Sequence, residues 1–361
     1  FEFWYPHDLR VSGKDLLQNH LVMSMYNHAA IWDGREDRMP GGYYTNGLLM
    51  INSEKMSKST GNFMTLAQGI ETFGSDALRF GLASSGDSME DANFSTKIAS
   101  GAIMKLTNLK ELIVSHYIPQ ITQNNSYRSG EYQFWDIVAL QRLQIAIENM
   151  KSAYEGMLIQ DVIRQFHVIL SIRDEYRIAI TPPGAVVTRQ DYVDTNYHQD
   201  VIAAFVYCVV VGLSPITPHL AQYIHEQVLQ SNLYTVTGIE GTIIPFYRND
   251  KNQKRPELVI DEDWPVITPP PTDDATIINK AQYILTQSDN IRIQYNNFQQ
   301  LSEKKAKKQN IDIATLPPLN HVTIRVAIGY PEWQKQVICA AQDAYKAQGE
   351  SVFGKNGNQL K

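Results

Sequence analysis

LLMINSEKMSKSTGNFMTLAQ, residues 48–68, sets an apolar run against two lysines three apart, small hydroxyl residues, a Gly-Asn pair and a helix start. The stretch Gly41–Ile51 (GGYYTNGLLMI) reads as a strand. Thr65-Leu66-Ala67-Gln68 has the Thr-x-x-Gln form of a capping box, which predicts a helix through Ile70 and Phe73 that Gly74 ends. Upstream, Asp8–Gly13 (DLRVSG) alternates through Leu9 and Val11 and breaks at glycine, and Leu17, Leu21, Met25 and Ala29 then recur at helical spacing. Strand–helix–strand, an α/β unit, is the simplest parse. Ser75-Asp76 are placed to cap a further helix through Leu78 and Leu82.

From about residue 93 the texture changes to long amphipathic helices. One stripe is Phe94, Ile98, Ala102, Leu106, Leu109 and Ile113; a second runs from Ile137 to Tyr154, and a third from Ile159 to Tyr176. A fourth, Val201–Val228, is interrupted by Pro215 and Pro218. Short polar connections predict antiparallel neighbours, a helix bundle. VITPPPTDD (Val266–Asp274) reads as a stiff linker. Beyond it the pattern predicts one or two helices, an alternating strand (Val322, Ile324, Val326, Ile328), a helix over 332–347 and a disordered tail. The expected organisation is therefore multi-domain: α/β over 1–92, all-α over 93–265, a linker over 266–274, and a small α+β domain over 275–361.

The chain has 361 residues, 43% hydrophobic and 19% charged, which suits a soluble protein of two or three domains. No apolar run reaches the length of a membrane span. Cys208 and Cys339, far apart in apolar helical contexts, suggest neither a disulfide framework nor a zinc site, and fit a reducing compartment. A net charge of −6 argues mildly against a general nucleic-acid binder but leaves local basic patches open.

By composition alone the lysine loop is also what a solvated turn looks like. Its position, after a strand and before a capped helix, is where open α/β sheets bind ligands. Two ammonium groups among hydroxyls and a glycine suit a polyphosphate, each charge-assisted contact being worth roughly 1.5–3 kcal/mol. It is not a Walker loop, since no Gly-x-x-x-x-Gly-Lys-Ser/Thr occurs. A second anchor is SGKDLLQNH (Ser12–His20): Gly13 allows close backbone approach, and Asp15 could accept from ribose hydroxyls. Singly, Asp15 reads more readily as a plain helix cap and His20 as a satisfied packing or surface histidine.

Taken together, these phrases resemble a known family. KMSKS followed by TGN resembles the signature loop of class I aminoacyl-tRNA synthetases, and SGKD resembles their ribose-binding segment. WYPHDLRVSGKDLLQNHL, LLMINSEKMSKSTGNFMTL and GDSMEDANF resemble leucyl-tRNA synthetases of the cytosolic eukaryotic or archaeal type. RDEYR (Arg173–Arg177), LSPITPHLAQYIHE (Leu213–Glu226) and DWP (Asp263–Pro265) are similar to their tRNA-binding bundle and its exit.

The resemblance implies an α/β segment that is the second half of a Rossmann-like catalytic domain. In it Lys55 and Lys58 hold ATP phosphates during leucine activation, and Met56, Ser57 and Ser59 shape the loop. Gly13 and Asp15 contact adenosine, with His20 near the adenylate. Asn46-Gly47-Leu48 departs from the family's Gly-His, so no nucleotide contact is assigned there. The substrates implied are leucine, tRNA(Leu) and ATP with Mg2+; no resident metal, no tightly bound cofactor and no membrane are expected. The setting implied is cytoplasmic, as a monomer or in a multi-synthetase complex. Candidate tRNA contacts are Arg142, Arg164, Arg173 and Arg177 on the bundle and Lys304, Lys305, Lys307 and Lys308 in SEKKAKK. Intra-bundle salt bridges are the equal alternative for Arg173 and Arg177; for SEKKAKK a solvated helix end is the slightly favoured one. The family's His-x-Gly-His does not occur, and the chain opens inside a hydrophobic phrase. Both suggest a C-terminal piece of a longer polypeptide, without the editing domain and inactive in activation by itself. The alternatives are a non-catalytic tRNA-binding module, or the same part of an isoleucyl, valyl or methionyl enzyme.

Overall fold

The computed structural model describes residues 2–57, 59, 61–124, 126–181, 196–237, 255–270 and 276–309, with 335, 336, 339, 340 and 343 beyond. The expected strand at 322–328 and the tail lie outside these residues. Of the helix expected at 332–347, the described positions are helical.

Strand β1 (Arg10–Gly13) pairs in parallel with β2 (Tyr43–Asn46), Arg10 opposite Tyr43 and Gly13 opposite Asn46. Between them a short 3-10 turn, a π-helical turn (Leu17–Leu21) and α1 (Val22–Ile31) make the expected crossover. The expected single strand over 41–51 is instead two strands in two sheets. β3 (Leu49–Ile51) lies between β4 (Glu54–Lys55), antiparallel, and β5 (Ala92–Phe94), parallel. The break falls at Gly47, where the 88–91 segment crosses so closely that a Cβ would sit 1.9 Å from the Glu90 carbonyl oxygen. Gly47 N–H donates to Ser88 O there (3.0 Å), outside any ladder.

Helix α2 (Leu66–Phe73) starts on the expected capping box: Thr65 Oγ1 accepts from Gln68 N–H, and Gln68 Oε1 accepts from Thr65 N–H. Gly74, at φ +77°, ends α2 and opens α3 (Ser75–Ala83). Ser75 and Asp76 do not cap α3, contrary to expectation, because Gly74 occupies the cap position and both side chains turn to a distant helix.

The bundle comprises α4 (Thr96–Glu111) with a π-helical extension to Tyr117, α5 (Ile118–Thr122), α6 (Phe134–Glu155) and α7 (Ile159–Ile180). It continues in α8 (Gln199–Leu213), α9 (Pro218–Ser231) and α10 (Leu233–Thr237). α8 is buried on every side from Val201 to Leu213, as its unbroken apolar sequence requires. At the start of α4 the buried position is Ala99, and Ile98 faces solvent. Gly81 of α3 approaches so closely that its Cβ would meet that of Ala99 at 3.2 Å, which leaves no room for isoleucine.

One apolar core runs from Phe73 to Ile267, so α2 and α3 share it with the bundle and it crosses residue 92 without a break. Phe80 of α3 packs edge-to-face on Phe166 of α7, ring centroids 5.9 Å apart. The chain separates into two compact units, Phe1–Thr286 and Gln287–Lys361, with the division inside the long helix α11 (Ile277–Gln309).

Three of the bundle's helices borrow their caps from the α/β segment. α4, α7 and α9 receive no side-chain hydrogen bond from their own N-cap residues. Asn52 Oδ1 accepts from Thr96 N–H of α4 (3.1 Å), and Asp87 Oδ2 from Gln160 N–H of α7 (2.9 Å). Asp76 Oδ2 accepts from Leu220 N–H of α9 (2.7 Å). Each satisfies an otherwise orphaned helix amide, and the two carboxylates also lie at the positive ends of helix dipoles. Arg79 strengthens the α3–α9 contact by donating to Ile216 O (2.9 Å) and Pro215 O (2.8 Å).

Candidate functional site

The lysine loop grows from a hairpin. β3 and β4 are joined by Asn52-Ser53, both at positive φ (+51° and +69°), as in the type I′ turn that suits the strands' twist. Lys55, at the end of β4, pairs across the ladder with Met50 and is exposed. The loop beyond closes on itself: Ser57 N–H donates to Asn62 O (2.9 Å), and the Ser57 and Ser59 hydroxyls are 2.8 Å apart. The Asn62 side-chain amide faces the carbonyls of Ile51, Glu54 and Lys55 at 3.2–3.4 Å, tying the loop's far end to its stem. Met56 and Ser57 are half-buried and Ser59 is exposed; Lys58 lies outside the described residues.

The second anchor sits at the C-terminal end of β1, where the parallel strand enters its crossover. Asp15 is exposed, and its Oδ1 lies over Gly13 so closely that a Cβ there would be 2.5 Å away. Glycine is what lets the carboxylate fold back over the strand end. His20 is exposed, and its Nε2 is 2.7 Å from Arg10 Nη2, which donates to it.

Asp91, which the sequence reading passed over, joins the two anchors. Its Oδ1 accepts from Lys14 Nζ (2.7 Å) and from Leu48 N–H (2.9 Å), and Lys14 also donates to Met89 O (3.1 Å). The Lys14 ammonium, then the Leu48 amide, with Lys55 farther off, hold the Asp91 carboxyl below the usual carboxylate range. Asn52 and Asn93 were also missed. The available signal was Asn-Ser between an apolar run and Glu-Lys, since asparagine tolerates positive φ.

The four bundle arginines separate. Arg142 pairs with Glu175 between α6 and α7. Arg173 is 13% exposed, beside Asp174 (3.2 Å) and 6.0 Å over the Phe205 ring. Arg177 is half-buried. Arg164 is 70% exposed, held to Asp161 one turn away (2.7 Å). Lys304, Lys305, Lys307 and Lys308 fall on α11, their side chains outside the described residues. A cleft of about 490 Å³ at the α3–α9 junction, lined by Gly74, Asp76, Lys110, His219 and Tyr223 among others, contains none of the expected site residues. Among the described residues no cluster of His, Cys, Asp and Glu could hold a metal, and no helix is long and apolar enough to cross a membrane.

Comparison with known proteins finds two family models in succession along the chain. Residues 2–111 match the family described as tRNA synthetases class I (M), and residues 136–309 the anticodon-binding domain of tRNA ligase. The cytoplasmic leucine–tRNA ligase of Pongo abelii is 32% identical over 355 residues, 98% of this chain and 26% of that protein. That of Saccharomyces cerevisiae is 33% identical over 340 residues, 94% of this chain and 26% of that protein. In the Arabidopsis thaliana protein identity is 39% over 240 residues, 66% of this chain and 20% of the relative. The chain thus spans about a quarter of the length of the curated relatives it matches. A solved ternary complex of Agrobacterium radiobacter K84 LeuRS with tRNA and LeuAMS aligns over 75% of this chain and 29% of that one, at 16% identity and TM-score 0.49. With a synthetase segment followed by an anticodon-binding segment, and relatives of one kind along nearly its whole length, the chain belongs to the class I aminoacyl-tRNA synthetases, as a homologue of part of the cytoplasmic leucine–tRNA ligases.

Proposed function

We propose that this chain is the part of a leucine–tRNA ligase that supplies the phosphate-holding loop and the tRNA-binding bundle. Lys55 and Lys58 neutralise the triphosphate of ATP, taken with Mg2+ as substrate, while the leucine carboxylate attacks the α-phosphorus and pyrophosphate leaves. Gly13 and Asp15 receive the adenosine, with His20, which accepts from Arg10, near the adenylate. Met56, Ser57 and Ser59 give the loop its shape. Leucyl-adenylate then passes its acyl group to tRNA(Leu). The bundle takes the tRNA by its backbone and shape, with Arg164 the exposed guanidinium and the four lysines of α11 a separate basic run. In this division residues 1–92 serve the chemistry, 93–265 the tRNA, and 275–361 follow the linker as a further domain.

What carries the reading is the hairpin. A lysine stands at the end of a short strand whose turn, flank and loop are each tied down, in a chain homologous to leucine–tRNA ligases. In the full-length protein, Lys55→Ala and Lys58→Ala are each expected to slow leucine-dependent ATP–pyrophosphate exchange roughly 10- to 100-fold, with tRNA binding retained. A double variant that exchanges at the unaltered rate overturns the assignment.

A further inference from the structure

Lys55 reaches the loop from a strand of two residues, too short to hold its own direction. What aims it must lie outside the hairpin. Across the three-stranded sheet, Lys55, Met50 and Asn93 form one row of register partners. From that row the Asn93 side chain reaches the turn: its Oδ1 accepts from Ser53 N–H (2.6 Å), and its Nδ2 donates to Ser53 Oγ (3.0 Å). Ser53 is the strained member of the turn. It stands at φ +69°, a region asparagine visits readily and serine does not. Asn52, its neighbour, suits positive φ and is held separately, by Phe94 O and by its own cap on α4.

We propose that Asn93 is a positioning residue for amino-acid activation: its amide holds Ser53 in the left-handed conformation and thereby fixes the direction in which β4 presents Lys55. This rests on the reading of Lys55 as a phosphate ligand. Without the Asn93 amide, Ser53 relaxes toward negative φ, the I′ twist is lost, and the lysine swings off the phosphates while β5 and α4 stay in place. Glycine at position 53 adopts positive φ freely and makes the clamp unnecessary.

The test uses the full-length protein and three variants: Asn93→Ala, Asn93→Ala with Ser53→Gly, and Lys55→Ala as control. Asn93→Ala is expected to lower kcat for pyrophosphate exchange about tenfold, with the KM for leucine and the melting midpoint nearly unchanged. Adding Ser53→Gly is expected to restore most of that rate. Unchanged exchange in Asn93→Ala beside a slow Lys55→Ala overturns the clamp and leaves the phosphate reading intact. A slow Asn93→Ala that Ser53→Gly does not rescue, or one whose melting midpoint falls in step, also overturns it. An unaffected Lys55→Ala removes the phosphate reading itself, whatever Asn93 does.

Discussion

Asp136 shows what one residue can hold together. It is fully buried, yet both its oxygens accept from Arg128 Nη2 (2.9 Å each), and Tyr176 OH (2.5 Å) and Gln133 N–H (2.7 Å) donate to it as well. Tyr176 OH accepts in turn from His198 N–H (2.9 Å), so α6, α7 and the start of α8 share one polar knot. A buried carboxylate so fully paired is costly to disturb, because removing one partner leaves a charge without water. Asp136→Asn leaves the part-exposed Arg128 guanidinium without its partner charge and is expected to lower stability by about 1–3 kcal/mol, read from the urea midpoint at unchanged m-value. In the sequence Asp136 reads as an ordinary first-turn acid of a helix. Nothing local distinguishes it from Asp161, which is surface-paired with Arg164, since what differs is only what surrounds them.

At the scale of elements, the borrowed caps decide how the α/β segment meets the bundle. A cap within its own helix is visible in sequence, as at Thr65–Gln68. A cap supplied from residue 52, 76 or 87 to a helix amide 44, 144 or 73 positions on is not. Asp76→Ala and Asp87→Ala are each expected to cost about 0.5–2 kcal/mol. Their contacts are on different helices, so the double variant should be close to the sum in urea titration. Markedly less than the sum would mean that the two helices do not depend on separate caps. The same scale explains the misread strand. Alternation and β-propensity run unbroken through 41–51, but pairing requires an open flank, and the Glu90 backbone takes that place at Gly47.

At the scale of the molecule, the arginines divide between holding the bundle and facing outward. If the bundle takes tRNA by its backbone, Arg164→Gln should reduce the slope of log affinity against log salt by about one, without loss of thermal stability. Arg173, mostly enclosed beside Phe205, should do the opposite when replaced: lower stability, with the slope little altered. An unchanged slope in Arg164→Gln would remove it from the proposed tRNA contacts.

The order of an α/β segment and a helical bundle, the α2 capping box and the lysine loop were all legible in the sequence, because each rests on residues within a few positions of one another. Helical spacing, a Thr-x-x-Gln box and a run of lysines and hydroxyls act through the nearest turn of chain. What only the tertiary structure decided was which strands share a sheet, which acids cap which helices, and which asparagine and aspartate steady the lysine hairpin. Those outcomes depend on close approaches between segments 40 or more positions apart, such as Ser53 with Asn93 or Asp87 with Gln160. Periodicity carries no record of such meetings, because a hydrogen bond is specified by distance in space and not by separation along the chain.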